Sequence, residues 1–276
     1  MSGVMERTLG ILELLAQHGE GLELGEIAQR LNIPRSGVHR LLTDLVAAGY
    51  VRQLRDHGAY TLTTKLVSIG LMFLSKSGIV DIAQPLLNRL AERSGELVRL
   101  SVVDGERLTW VARAQGARQG LRYDPDMGSD ARLSCSSSGW AWLSTLGDDE
   151  ALALVARQGL GPRAEFGPAA PETLAEVLAA LQDTRRRGFS VSVDTYTAGL
   201  SAISAPVRLA GQPAMGVLTI AGPTVRFTRE RMEALGPELV DFAAQLAAAS
   251  GSSPFFNQGQ HAAGEAAGER KPIYAD

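Results

Sequence analysis

Residues 24–49 read LGEIAQRLNIPRSGVHRLLTDLVAAG, and the fold of the N-terminal part of the chain turns on them. Leu24, Ile27, Ala28 and Leu31 recur at helical spacing on one face, and the pattern stops at Asn32. Pro34, whose ring presets the first helical turn, starts another helix that runs to Ala48 and ends at Gly49. Two helices joined by about three residues predict a helix-turn-helix. In the second of them Val38, Leu41, Leu42, Leu45 and Val46 fall at i, i+3, i+4, i+7 and i+8 and are predicted to face the core. The opposite stripe carries Ser36, His39, Arg40 and Thr43, with Arg35 at the N-terminal end, where recognition helices meet base edges. Arginine can grip guanine through two parallel hydrogen bonds or clamp a phosphate, and Ser, Thr and His can bond to either. Any surface helix displays a solvated polar face, so this stripe acquires meaning only from its surroundings.

Upstream, Met5 to His18 places Leu9, Ile11, Leu12, Leu14 and Leu15 at helical spacing and ends at Gly19 and Gly21. Downstream, Tyr50 to Leu54 and Ala59 to Thr63 read as strands around a turn at Asp56 to Gly58, which predicts a hairpin wing carrying Arg52, Arg55 and His57. Charge is segregated within this stretch. From Ile27 to Arg55 five arginines (Arg30, Arg35, Arg40, Arg52 and Arg55) face Asp44 alone, a net of +4, whereas Glu6, Glu13, Glu20, Glu23 and Glu26 before it face only Arg7. One positive side on a winged helix-turn-helix predicts binding to double-stranded DNA, with Arg35, Ser36, His39, Arg40, Thr43 and Arg55 as the contacting residues.

The next segment, Leu66 to Ser75, is apolar nearly all round, as expected of a helix buried on several sides. A linker helix that dimerises the chain accounts for this, and so does a core helix within one subunit. Beyond it the reading is a helix near Asp81 to Arg93 and then a strand from Leu97 to Val103, with Val98, Leu100 and Val102 alternating against Arg99 and Ser101. A turn at Asp104 to Glu106 leads to a strand from Leu108 to Ala114. Further strands are predicted near Gly120 to Tyr123, Phe189 to Val193, Ser201 to Arg208 and Ala214 to Ile220. Helices are predicted near Gly139 to Leu146, Glu150 to Arg157, Glu172 to Arg187 and Arg229 to Ala249. Strand pairs joined by tight turns, with helices between them, describe an α+β class with a mixed or antiparallel sheet rather than a doubly wound parallel one. The expected domains are a winged helix-turn-helix over 1–65, a linker helix over 66–78, a larger domain over 79–250 and a disordered tail over 251–276.

The bulk properties narrow the class. The 276 residues are 45% hydrophobic and 21% charged, which excludes a disordered or collagen-like chain. No apolar run approaches the roughly 18–20 residues of a membrane helix, so no membrane partner is expected. The single Cys135 and the lack of a basic-then-apolar leader at the start point to a reducing cytoplasm.

The order of these pieces resembles the IclR family of bacterial transcriptional regulators over roughly Met5 to Ala249. The resemblance rests on residues 6–51 with the wing, on LSCSSSGWAWLS (133–144), on RRGFSVSVDTYTAGLSAISAPV (186–207) and on LTIAGPTVRFTRERMEAL (218–235). It implies a homodimer or homotetramer, a C-terminal domain similar to the GAF fold, and a small organic acid or aromatic compound as effector. Relatives often carry His-Ala-Thr or a similar small run where this chain has Ser134-Cys135-Ser136-Ser137-Ser138, and a second acid where it has Thr195.

Residues and resemblance together nominate an effector site. Ser134, Ser136, Ser137 and Ser138 precede a helix near Gly139, where hydroxyls and free backbone N–H groups can meet a carboxylate, although at least one of them is expected simply to cap the helix. Asp194 follows a strand and precedes the polar loop Thr195-Tyr196-Thr197, so it either reaches an effector hydroxyl or lies exposed. Met127, Leu133 and Thr219 stand at positions that the resemblance assigns to the pocket, with plain core packing the alternative for Met127 and Leu133. Trp140 and Trp142 are two apart on a helix and cannot share a face, so one would line the pocket while the other packs.

Competing classes have less to stand on. There is no G-x-S-x-G elbow, and Cys135 has no adjacent base. The histidines His18, His39, His57 and His261 lack metal-ligand spacing, and Gly159-Leu160-Gly161 is not a dinucleotide fingerprint. No catalysis, metal or cofactor is therefore expected. The two rivals kept are a GAF-like domain enzyme and a DNA-binding adaptor that oligomerises without a ligand.

Overall fold

The computed structural model describes residues 3–54, 58–77, 79–123 and 128–250. The chain divides into two units, Met1–Lys76 and Ser77–Asp276. The first contains α1 (Val4–Ala16), α2 (Leu24–Arg30), α3 (Arg35–Ala47), β1 (Val51–Gln53), β2 (Tyr60–Leu62) and most of α4 (Thr64–Ser77). Ile11, Leu15, Ile27, Val38 and Leu42 form its fully buried centre.

Short-range chemistry fixes this unit. A reciprocal capping box between Glu23 and Glu26 starts α2. Asn32 turns the chain after it at φ +52°, a left-handed conformation that Asn tolerates, and Ile33 N donates to Ala28 O at 3.0 Å. Strands β1 and β2 pair antiparallel with Val51 opposite Leu62, and a bridge from Leu22 to Tyr60 ties the wing to the segment before α2. At Gly21, φ is +85° and a Cβ would lie 2.7 Å from the Tyr60 carbonyl oxygen, so a side chain is excluded there.

Two expectations for α3 need correction. Pro34 is its N-cap, with ψ 139°, and the first helical residue is Arg35. Val46 is 42% exposed rather than in the core. Eight residues at 100° each carry it about 80° past Val38, off the buried stripe. The wing tip, including Arg55 and His57, lies outside the described residues, as do 251–276.

The second unit contains α5 (Ile79–Ser94), β3 (Leu97–Asp104), β4 (Arg107–Gln115), α6 (Ser137–Leu143), α7 (Asp148–Gln158), α8 (Leu174–Arg187), β5 (Ser190–Val193), β6 (Leu200–Val207), β7 (Gly216–Pro223) and α9 (Arg229–Ala249). The strands form one antiparallel sheet in the order β4-β3-β7-β6-β5. Helices α5 and α9 cover one face around Leu87, Leu100, Ile220 and Leu246, while α6, α7 and α8 cover the other around Leu133, Trp142, Leu154 and Leu181. The central β7 is accordingly buried at every position, whereas the edge strand β4 alternates.

No strand forms at Gly120 to Tyr123. The carbonyls there are held by side chains instead: Arg226 Nη1 donates to Leu121 O at 2.6 Å and Gln115 Nε2 to Tyr123 O at 3.0 Å. Arg226 also grips Glu96, 1% exposed at the head of β3, through two bonds of 2.7 and 2.8 Å. This bidentate pair raises the Arg226 pKa and fastens β3 to the turn after β7.

Candidate nucleic-acid interface and ligand cavity

Helix α3 buries Val38, Leu41, Leu42 and Leu45 and leaves Arg35, Ser36, His39, Arg40 and Thr43 exposed. The arrangement follows from the sequence stripe, since the leucines have only one side on which to find a core. Thr43 Oγ1 donates to His39 O at 2.9 Å. The Arg35 guanidinium lies against Gly25 of α2, where a Cβ would be 2.9 Å from Nη2. Arg52 on β1 is exposed as well. Arg30, by contrast, turns to His18 and donates to its Nε2 at 2.6 Å. This arginine of the basic run is therefore occupied within the unit.

The second unit has a small pocket, partly open to solvent, between the sheet and the N-terminal end of α6. Its floor is a product of register. Arg99 on β3 stands opposite Thr219 on β7, Thr219 opposite Ser204 on β6, and Ser204 opposite Ser190 on β5. Because directly opposed residues share a face, one polar row crosses the sheet beneath α6. The next row on that face is small: Ala221, Ala202 and Ser192 are mutually opposed. The missing side-chain volume there is the space of the cavity, walled further by Tyr123, Tyr196 and Leu200.

Ser136, Ser137, Ser138 and Thr219 line this cavity, and most of their bonding capacity is already engaged. Ser136 caps α6, accepting from Gly139 N at 3.0 Å. Ser138 bonds Thr219 at 2.9 Å, Thr219 bonds Ser204 at 2.8 Å, and Ser204 bonds Ser137. Ser134 uses its carbonyl to accept from Trp140 Nε1 at 2.9 Å.

Other nominated residues sit elsewhere. Leu133 packs in the core beneath α6 and α7 and does not line the cavity. Asp194 holds its own loop at φ +55°, accepting from Gly199 N at 2.6 Å, and its neighbour Tyr196 is the loop residue that reaches the cavity. Trp140 and Trp142 both pack in the core, and the tryptophan of the cavity is Trp110. Met127 lies outside the described residues.

Sequence reading missed Arg99 and Trp110. Arg99 belongs to the polar half of an alternating strand, which normally faces water, yet it is 3% exposed because this sheet is covered on both faces. Trp110 is aimed by a bulge: between Leu100 and Ser101 the register of β4 slips, Val111 is skipped, and Trp110 comes opposite Ser101. The Arg99 guanidinium stacks on the Trp110 ring with Cζ 3.7 Å from the centroid. Burial lowers the Arg99 pKa to about 10, and burial pushes the Tyr123 phenol up to about 12. Burial also raises Cys135 to about 11, the opposite of an activated thiol.

A winged helix with an exposed basic and hydroxylic third helix, followed by an α+β domain built around a partly polar cavity, defines the class of two-domain DNA-binding regulators. Residues 4–55 match the IclR helix-turn-helix domain, and residues 71–248 match the bacterial transcriptional regulator IclR C-terminal domain. The chain belongs to the IclR family of bacterial transcriptional regulators and is a DNA-binding transcriptional regulator of that type. It is 29% identical over 250 residues to the acetate operon repressor of Salmonella typhimurium, covering 90% of each chain. It is 30% identical over 259 residues to the HTH-type transcriptional regulator BhcR of Paracoccus denitrificans, covering 94% of this chain and 90% of that one. Its fold matches an IclR homologue from Microbacterium hydrocarbonoxydans solved with 4-hydroxybenzoate, with a TM-score of 0.74 at 19% identity over 91% of this chain and 100% of that one.

Proposed function

We propose that this chain is an effector-responsive regulator that binds a pseudo-palindromic operator as a homodimer or homotetramer and changes its operator affinity when a small organic acid or aromatic compound occupies the cavity. Duplex contacts come from Arg35, Ser36, His39, Arg40 and Thr43, with Arg55 contributing from the wing. The observation that carries this reading is α3 itself, whose leucines are buried while its arginine and hydroxyl side is exposed. Two-fold symmetry would present a pair of such helices to half-sites one or more helical turns apart.

Helix α4 supports the dimer, because Val67, Leu71, Met72 and Phe73 are each more than half exposed in the single chain and a second copy would cover them. The linker reading of 66–78 rests on the same residues. The cavity supports the effector, and the Microbacterium homologue's complex with 4-hydroxybenzoate gives the size and type of compound to try first. The protein acts without catalysis and works in the cytoplasm, where its DNA is.

A ligand changes operator affinity only as far as it binds one arrangement of the protein better than another. Footprinting of the chain's own promoter region, with and without candidate effectors, tests the proposal. Paired protected half-sites and an effector-dependent change in affinity are expected. A single unrepeated half-site bound by a monomer would defeat the dimer, and indifference to every compound that raises the thermal midpoint would favour the ligand-independent adaptor.

A further inference from the structure

Gly25 is the second residue of α2, and nothing in its backbone calls for glycine. It is not among the glycines with positive φ, and it lies inside the helical run from Leu24 to Arg30. Glycine weakens a helix relative to alanine because it leaves the unfolded backbone more freedom, so what it supplies here is space.

That space is taken by one group. A Cβ on Gly25 would lie 2.9 Å from Nη2 of Arg35, 3.6 Å from Cζ and 3.8 Å from Nε, and these three guanidinium atoms are its nearest neighbours. Ordinary contact starts at 3.4 Å, so an alanine methyl would push the head of Arg35 aside by about half an ångström or more. Arg35 is exposed, and among the described residues its N–H groups form no hydrogen bond or ion pair. Glu23 and Glu26, the acidic residues on either side of Gly25 in the chain, are engaged with each other's backbone in the capping box. The head of Arg35 is therefore placed by contact with α2, and its donors are left for a partner outside the chain.

Position decides which part of a duplex that partner is. In a helix-turn-helix the second helix lies in the major groove while the first crosses the DNA backbone. Arg35 is rooted at the start of α3, but its guanidinium lies back on α2, the crossing helix. We infer, resting on the duplex reading above, that Arg35 clamps a backbone phosphate and that Gly25 is a positioning residue that keeps the place for its guanidinium. Arginine meets phosphate through two parallel N–H···O bonds, which need the planar head at a set distance and angle. A displacement of about half an ångström stretches those bonds toward the limit of hydrogen-bonding distance. A phosphate contact fixes register on the duplex without reading sequence, which is left to the rest of the α3 stripe.

The test compares the full-length protein with its Gly25→Ala, Arg35→Ala and doubly substituted variants. Each is titrated at several salt concentrations with the footprinted operator, with single-base-pair variants of it and with a random-sequence duplex. Arg35→Ala should weaken binding to all of these by the same factor, about tenfold at low salt, and make the slope of log affinity against log salt shallower by about one. Gly25→Ala should weaken binding several-fold in the same uniform way while the thermal midpoint holds or rises, since alanine favours the helix. A merely structural role for Gly25 would lower the midpoint instead. The double variant should bind no more weakly than Arg35→Ala, because the methyl acts only through the guanidinium. In an Arg35→Lys background Gly25→Ala should bring no further loss, since an ammonium on a flexible stem can pass the methyl.

Losses confined to one base-pair position would make Arg35 a base reader and overturn the phosphate clamp. Additive losses in the double variant overturn the positioning role, and so does a Gly25→Ala protein that fails to fold or that binds as the wild type does, because the geometry leaves only a mobile side-chain head to yield. Unchanged affinity and slope in Arg35→Ala overturn the proposal but leave the regulator standing, which falls only if the wild-type protein retards no fragment of its promoter region.

Discussion

Arg40 is an exposed α3 arginine in the middle of the stripe assigned to the duplex, and Arg40→Ala should weaken operator binding. If it clamps a phosphate, the slope of log affinity against log salt should become shallower by about one, and titration at several salt concentrations measures this. Unchanged affinity and slope would remove Arg40 from the interface. Cys135 and Tyr123 give a second prediction at this scale. Burial raises the thiol from 9.0 to about 11 and the phenol from 10.0 to about 12. Between these limits the unfolded chain has released protons that the native one still holds, so stability falls as pH rises above about 9. Calorimetric midpoints should drop from pH 9 to 11, and Cys135→Ala should flatten the first part of the drop. A midpoint that rises over this interval would contradict the burial argument. Individual residues were unequally legible: the stripe on α3 announced its exposed side, but the carboxylate of Asp194 could have met a ligand or its own loop, and only the folded backbone places Gly199 N against it.

Elements aim these residues. The slip in β4 that skips Val111 brings Trp110 to the cavity side, and no periodicity in residues 107–115 reveals it, because a bulge is a property of two strands. The alternation of β3 is a property of its residues, but which half meets water is decided by the layers packed on the sheet. Its polar half, Arg99 and Ser101, lies under α6 and the cavity instead of in water. Helix α6 depends on one close approach, since a Cβ on Gly139 would stand 2.7 Å from Leu133 Cα and 2.8 Å from Leu133 O, against backbone that cannot yield. Gly139→Ala should therefore destabilise the second unit by about 1–3 kcal/mol. It should also push Ser137 and Ser138 from their partners Ser204 and Thr219. Thermal unfolding checks the first effect and loss of ligand affinity the second, and a variant with an unaltered midpoint would show that the contact is softer than the geometry states.

At the scale of the whole molecule the exposed apolar side of α4 is the feature a single chain does not account for. Val67 and Leu71, one helical turn apart, are 59% and 61% exposed. Leu71→Glu should dissociate the proposed dimer and weaken operator binding together, which sedimentation and retardation assays read separately; a dimer that survives the charge would move the interface elsewhere. The sequence by itself determined the winged helix-turn-helix, the α+β class of the second domain and the exposed side of α3, because amphipathic spacing, caps and tight turns act between residues close in the chain, whereas the wholly antiparallel pairing of the second domain's sheet is seen only in the structure. Tertiary structure alone decided what the cavity is made of. Arg99, Trp110, Ser137, Ser192 and Thr219 come from four strands and a helix, and strand register and a bulge bring them together. Pairing between distant segments leaves no period in a single sequence, so the chemistry of that pocket stayed hidden until the strands were laid side by side.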